Sequence, residues 1–251
     1  MKQKLIVITF FAVLISCKST DSLMETHTTQ CPEDAPVLTP APLEEPWAIE
    51  WWMPRHEEKL NEEGREDAEI LLVGDSITHG WESTGSEVWE RYFGEYKTYN
   101  IGYSGDRTEN VLWRFQNGEI DGIHPKVAMV MIGTNNTGHR QDHPDCTAMG
   151  IERIVDSLQE KLPDTHILLL AIFPRGADTD DELRILNEEI NQRIEVFGEK
   201  ERVTFLNLNH TFLNDEGEIL EEVMPDLLHP NEEGYELWAA EIFPRLIDLL
   251  N

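Results

Sequence analysis

Short, unbroken apolar runs alternate along this chain with stretches of helical period, and that alternation limits the folds open to it more than any other feature. The runs occupy 69–73, 98–101, 127–132, 166–172 and 203–208, and amphipathic helical patterns occupy 107–116, 149–161, 181–197 and 232–250. An apolar run of strand length without polar alternation belongs in a sheet covered on both faces. Parallel strands joined by right-handed helical crossovers then place helices on either side. The expected fold is therefore α/β, a three-layer α/β/α sandwich around a five-stranded parallel sheet. In such sheets ligands are handled beyond the carboxyl ends of the strands, so residues that carry chemistry should follow the apolar runs directly.

The rest of the chain divides around this core. Lys2 and Lys4 precede an apolar stretch at 5–15 that is too short to span a bilayer comfortably, and it ends in Leu14-Ile15-Ser16-Cys17. That ending resembles the lipobox of bacterial lipoproteins, in which the signal is cut before a cysteine that is then lipidated. Residues 1–17 are thus expected to be a signal peptide, with Cys17 the lipidation site and the cell envelope the destination, periplasmic or at the cell surface. Residues 18–46 are rich in Thr, Ser, Pro and Glu, and with few apolar anchors they read as a flexible tether. The folded domain is expected over 47–251, with Trp47, Trp51 and Trp52 covering the core and a charged surface helix at 54–67. Export permits a disulfide between Cys31 and Cys146, but their spacing in sequence does not show whether they pair. The formal net charge of −29 repels phosphates and anionic lipid, so no nucleic acid is expected as a partner. Membrane contact is expected only through the lipid anchor.

Four motifs lie where chemistry is expected. The first apolar run leads into Gly74-Asp75-Ser76, a serine at a tight strand-to-helix turn, where a backbone N–H and a helix N-terminus favour negative charge. Capping alone could also explain a Ser and an Asp at that place. The second run leads into Gly102-Tyr103-Ser104-Gly105-Asp106, whose glycines allow a backbone N–H to approach a ligand. The third leads into Gly133-Thr134-Asn135-Asn136, which offers a side-chain amide donor. Asp226-Leu227-Leu228-His229 precedes the last helical pattern, and a carboxylate behind an imidazole fixes the tautomer that leaves Nε2 free to accept a proton. Each motif is weak alone, and together they are not.

These blocks, in this order, resemble those of the SGNH (GDSL) hydrolase superfamily. Val111-Leu112-Trp113-Arg114-Phe115-Gln116-Asn117-Gly118-Glu119 and Pro174-Arg175-Gly176 further resemble the catalytic subunits of intracellular platelet-activating-factor acetylhydrolase. The resemblance covers about 69–250 and implies a flavodoxin-like sheet, with Ser76 as nucleophile, His229 as base and Asp226 completing the triad. It implies oxyanion donors at the Ser76 N–H, the Gly105 N–H and the Asn135 side chain; separately, no cofactor and no functional metal is expected. Relatives of this kind pair as dimers, so monomer and homodimer both stay open. Two regions depart from the pattern: the stretch before 69 and the loop 137–146. His139 and His143 in that loop are of metal-ligand type, but Pro144 and the polar composition argue for a solvated loop. Arg140 is the expected substrate contact there, whereas Arg107 and Arg175 read as surface or salt-bridging arginines.

The implied reaction is two-step acyl transfer on a short acyl ester, acetyl above all. A free histidine titrates near pH ~6.5, so activity is expected to rise through that region. Loss of one oxyanion donor is expected to cost roughly a hundredfold in rate. An exported, strongly acidic protein suits a neutral substrate, and an O-acetylated carbohydrate fits best. A lipid acetylhydrolase or lysophospholipase is the alternative, and a non-catalytic binding module on the same scaffold is the third. A phosphate-binding domain is disfavoured, since Asp75 would repel phosphate and the turn lacks a glycine-rich cradle.

Overall fold

The structure, a computed structural model, describes residues 31–251. The expected signal peptide, Cys17 and residues 18–30 of the expected tether lie outside the described residues.

The five apolar runs form β1 (Ile70–Gly74), β2 (Thr98–Gly102), β3 (Val127–Met131), β4 (His166–Leu170) and β5 (Val203–Leu206). They make one sheet in the order β2-β1-β3-β4-β5 with every neighbouring pair parallel, which is the flavodoxin-like arrangement. Because side chains alternate along a strand, each run feeds two cores. Leu71, Val73, Ala128, Val130, Ile167 and Leu169 pack on one side. The helices there are α1 (Trp52–Leu60), α4 (Thr108–Gln116), α6 (Pro144–Lys161) and α7 (Glu182–Ile194), which contribute Trp52, Phe115, Ile154 and Ile190. Ile70, Leu72, Met129, Met131, Leu168 and Leu170 pack on the other side. They meet α3 (Ser86–Phe93) and α8 (Glu232–Leu250) through Val88, Phe93, Trp238, Ile242 and Leu246. The chain leaves β1 towards β2 and then returns past it to β3, so the connections part at the carboxyl ends of β1 and β3. That crevice is the switch point of the sheet.

Three expectations need correction. The tether does not extend to residue 46, because the described stretch from Cys31 onward is a strap packed on the domain. Ala35, Val37, Leu38 and Leu43 are buried, and a 3-10 turn spans Pro36–Leu38. Thr108 Oγ1 donates to the Val37 carbonyl at 3.1 Å, Asn110 Nδ2 to Ala41 at 3.0 Å and Arg153 Nη1 to Leu38 at 2.7 Å. Four apolar side chains were too few to signal burial, yet the domain's polar groups satisfy the strap's backbone. Second, the region 137–146 is largely helical: α5 (Thr134–Arg140) ends at Gln141, whose φ of 50° is left-handed, and α6 begins at Pro144. Proline there opens a helix, since the first turn has N–H groups without intrahelical partners anyway. Third, the surface helix expected at 54–67 is α1, which runs only from Trp52 to Leu60 and buries His56 and Lys59, with a separate 3-10 turn at Arg65–Asp67.

Cys31 and Cys146 form a disulfide with a Cα–Cα distance of 4.8 Å across 115 residues. Closing so long a loop restricts the unfolded chain, and such a bond typically contributes about 2–4 kcal/mol. Cys146→Ala should therefore lower the melting temperature by roughly 5–15 °C. Differential scanning calorimetry with and without reductant checks this: wild type under reductant should melt with the variant, and coincidence of oxidised wild type and variant would overturn it.

Candidate active site

Ser76 opens α2 (Ser76–His79), where a β1 turn of minimal length leaves its hydroxyl at the switch point. The Asp75 carboxylate caps this helix by accepting from the Ile77 N–H at 3.1 Å. Gly74 makes the turn feasible, because a Cβ at that position would fall 2.1 Å from Thr78 Oγ1 and 2.5 Å from the Met131 carbonyl. Only hydrogen at this position lets α2 sit down on the ends of β1 and β3.

His229 reaches Ser76 from the segment between β5 and α8. Its Nε2 stands 2.9 Å from Ser76 Oγ. Its Nδ1 stands 2.6 Å from Asp226 Oδ2, while Asp226 Oδ1 accepts from the backbone N–H of Leu228 at 3.1 Å and of His229 at 2.7 Å. Leu227 takes a φ of 60° between them, so the three-residue spacing closes into a turn that aims carboxylate and imidazole at each other. An Nδ1–H donated to Asp226 leaves the Nε2 lone pair facing the serine hydroxyl. Burial tends to raise the Asp226 carboxyl, but the hydrogen bonds from His229 outweigh it and hold the group below the usual carboxylate range. The imidazole therefore has an anion beside it throughout neutral and mildly acidic pH.

The three expected oxyanion donors lie on the turns that follow β1, β2 and β3. The Ser76 N–H belongs to the first turn of α2, whose N–H groups lack intrahelical partners. Gly105 lies in the turn after β2 with a φ of 82°. Asn135 lies in the first turn of α5, and its Nδ2 spends one proton on the Asp106 carbonyl at 3.0 Å and retains a second. That bond ties the Asn135 amide to the Gly105-Asp106 turn, so the two donors are held as a unit.

Beneath this unit lies a fully buried network that the sequence did not disclose. Arg114 donates through Nε and Nη2 to Asp106 Oδ2 at 2.9 and 2.8 Å and through Nη1 to Glu119 Oε2. Trp52 Nε1 donates to Asp106 Oδ1 at 2.6 Å, His56 Nδ1 meets Glu119 Oε1 at 3.0 Å, and the Tyr103 hydroxyl donates to the same oxygen. Burial pushes Asp106 up to about 6, against the pull of Arg114 and Trp52, so it remains ionised at neutral pH. Glu119 is also opposed by burial, but Arg114, His56 and Tyr103 hold it below its ordinary range.

Arg140 departs from expectation. Its guanidinium pairs with Glu109 at 2.6 Å and Asp142 at 2.6 Å, fastening α5 to α4, so the substrate contact expected of it is not what this geometry supports. Arg107 pairs with Glu45 at 3.3 Å and Glu109 at 2.9 Å, and Arg175 Nη1 donates to the Thr134 carbonyl at 2.8 Å. Both agree with a structural reading, although Arg107 is buried rather than on the surface.

Asp75 gives the site a pH signature. Burial raises its carboxyl to about 7, despite the Ile77 hydrogen bond and the His229 charge, whereas an unfolded aspartate titrates near ~3.9. Between those values the folded protein keeps a proton that the unfolded chain has lost, so this group's contribution falls as pH rises through 7. Asp75→Asn keeps an acceptor for the Ile77 N–H and removes the ionised form. It should melt above wild type by on the order of 5 °C near pH ~8, and the gap should close towards pH ~4. Thermal melts across that range check it, and a gap independent of pH would refute the assignment.

A flavodoxin-like sheet with a serine, histidine and aspartate in line at its switch point is the layout of an esterase-type hydrolase. The comparisons then identify the group: the chain belongs to the GDSL-like lipase/acylhydrolase family, whose model matches residues 72–237. It is 30% identical over 219 residues to the platelet-activating factor acetylhydrolase IB subunit alpha1 of Homo sapiens, covering 87% of this chain and 92% of that subunit. Its fold is similar to that of a GDSL-like lipase from Bacteroides thetaiotaomicron (TM-score 0.65, 19% identity, 78% of this chain and 97% of the other). It is also similar to Axe2, an acetylxylan esterase from Geobacillus stearothermophilus (TM-score 0.55, 17% identity, 73% and 94%).

Proposed function

We propose that this protein is a serine esterase that removes short acyl groups, acetyl above all, from O-acetylated carbohydrates. The observation that carries the chemistry is the continuous line from Ser76 Oγ through the His229 imidazole to the Asp226 carboxylate, at 2.9 and 2.6 Å. In the proposed reaction His229 takes the hydroxyl proton as Ser76 attacks the ester carbonyl. Negative charge on the carbonyl oxygen is met by the N–H groups of Ser76 and Gly105 and by the free proton of Asn135. The adduct collapses as His229 protonates the departing alcohol, which leaves an acyl-serine. Water, deprotonated by the same imidazole, then repeats the attack and releases the acid.

The carbohydrate rests on three supports: an acetylxylan esterase shares the fold, the chain is strongly acidic, and its first residues read as an export and lipidation signal at Cys17. The human relative's name supports the second reading, a lipid acetylhydrolase. Acetate release separates the two when the protein is given acetylated xylo-oligosaccharides and a short-chain lipid acetate in parallel. The expected result is a kcat/KM at least about tenfold higher on the sugar, since each ~1.4 kcal/mol of better transition-state binding is worth that factor. The reverse ranking would assign the lipid. A wild-type protein that hydrolyses neither and takes no fluorophosphonate label at Ser76 would be a binding module.

A further inference from the structure

The strap ends against the candidate site, and it brings an aromatic row with it. Trp47 lies directly on Gly105: a Cβ at that glycine would fall 2.1 Å from the Trp47 ring. Trp47 stacks on Trp51 with centroids 6.4 Å apart and planes 28° apart. Trp51 stands 6.4 Å from His79, three residues beyond Ser76 and hydrogen-bonded through Nδ1 to Ser104 Oγ at 3.1 Å. On the other side Trp47 meets His139 edge-on at 6.1 Å, four residues beyond Asn135. The row therefore arcs from the serine's helix, over the Gly105 turn, to the asparagine's helix. Its central ring is 51% exposed although aromatic rings of this size are ordinarily covered.

The chemistry of the row narrows what it can hold. Burial and the nearby Arg55 bring His79 down to about 4, and burial and Arg107 lower His139, so both imidazoles are neutral at neutral pH. Arg107, 3.4 Å from His139, disfavours a cation at that end. An acyl chain needs an enclosed apolar slot, whereas the exposed Trp47 ring and the half-buried Trp51 stacked on it form an open aromatic surface beside the polar edges of His79, His139 and Glu45. A pyranose has that amphipathic form, with C–H faces that rest on a ring and hydroxyls that reach its rim.

We propose that Trp47 and Trp51 form a carbohydrate-binding platform on which a pyranose of the acetylated substrate stacks, presenting its ester carbonyl to Gly105. The proposal deepens the esterase reading and rests on it for the position of the carbonyl. It makes the strap, rather than the sheet, the source of the alcohol-side specificity.

The test compares wild type, Trp47→Ala, Trp47→Phe and Trp51→Ala on acetylated xylo-oligosaccharides, triacetin and acetylcholine, with calorimetric binding of the unacetylated oligosaccharide alongside. Trp47→Ala should raise KM on the sugar acetate about tenfold, with kcat within about twofold, since one stacked ring contributes on that scale. The loss on triacetin should be several-fold smaller than on the sugar acetate, Trp47→Phe should recover most of the loss, and Trp51→Ala should lie between. An equal loss on triacetin and sugar would mean that Trp47 only props the Gly105 turn, and would overturn the proposal. A loss selective for acetylcholine would assign a quaternary ammonium and overturn it too. A wild type that binds the unacetylated oligosaccharide through Trp47 yet releases no acetate from sugars would sink the esterase reading and leave the platform standing. No binding and no sugar KM effect would sink the platform while triacetin turnover preserved the esterase.

Discussion

Ser76→Ala is expected to lose on the order of 10⁵- to 10⁶-fold in kcat on an acetyl ester while the protein melts like wild type. The loss follows from the absence of a second oxygen nucleophile in the serine's place: His229 would face a methyl group, and no acyl-serine could form. It should not be total. The donors of the Gly105-Asp106 turn and Asn135 remain, so attack by water directed from His229 should retain a residue of catalysis, roughly 10³-fold above the uncatalysed reaction. The fold tolerates the change because among the described residues Ser76 Oγ bonds only to the imidazole, and the helix cap is supplied by Asp75. Stopped-assay titration of acetate and a fluorophosphonate label read the two halves of this result. Wild-type turnover by the variant would remove Ser76 from the reaction.

Arg114→Met is the largest expected change in stability, about 3–5 kcal/mol. Arg114 and both of its partners, Asp106 and Glu119, have fully buried side chains. Methionine approximates the volume of the arginine stem but leaves two carboxylates without their shared cation. The protein must then either bury uncompensated charge or protonate both groups, and each route is costly. The melting temperature should fall by roughly 10 °C or more at neutral pH. The deficit should shrink in mild acid, where Asp106, already raised to about 6, takes up a proton readily. Activity should drop with stability, since the Asp106 carbonyl holds the Asn135 amide. A melting shift of only one or two degrees would mean that the network contributes little beyond packing. Such networks often cost as much to desolvate as their attraction returns, so the informative measurement is the single removal rather than an apolar replacement of the whole set.

The sheet was legible because its inner strands are buried on both faces, and an unbroken run such as Ile70-Leu71-Leu72-Val73 has little alternative use. The expected strand boundaries fell within a residue or two of those observed and α8 matched its expected range, whereas α6 begins at Pro144, well before its expected start at 149. The site motifs were legible for a related reason: parallel strands put successive loops on one rim, so sequence order became spatial order. The turn at Asp226–His229 could be anticipated because both partners lie within four residues. What escaped was long-range polar satisfaction. Arg114 read as one more residue of an amphipathic helix, yet it lies beneath the Gly105 turn between two carboxylates. The strap escaped because a few side chains, scattered hydrogen bonds and one disulfide dock it, which composition does not register. α3 escaped too, its apolar positions being aromatic and small among Glu and Arg.

The link from Cys31 to Cys146 has a topological consequence. It closes a covalent ring that contains Trp47, Ser76, Gly105 and Asn135 and excludes Asp226 and His229. A protease that nicks one surface turn inside the ring, such as the exposed Ser83-Thr84 turn, cannot separate the nucleophile's segment from the oxyanion donors or from the indoles. The clipped halves stay tied and can close again around the same crevice. In an oxidising, protease-rich medium the molecule would therefore outlast a cut there, whereas a cut between 147 and 225 would divide the serine from its imidazole.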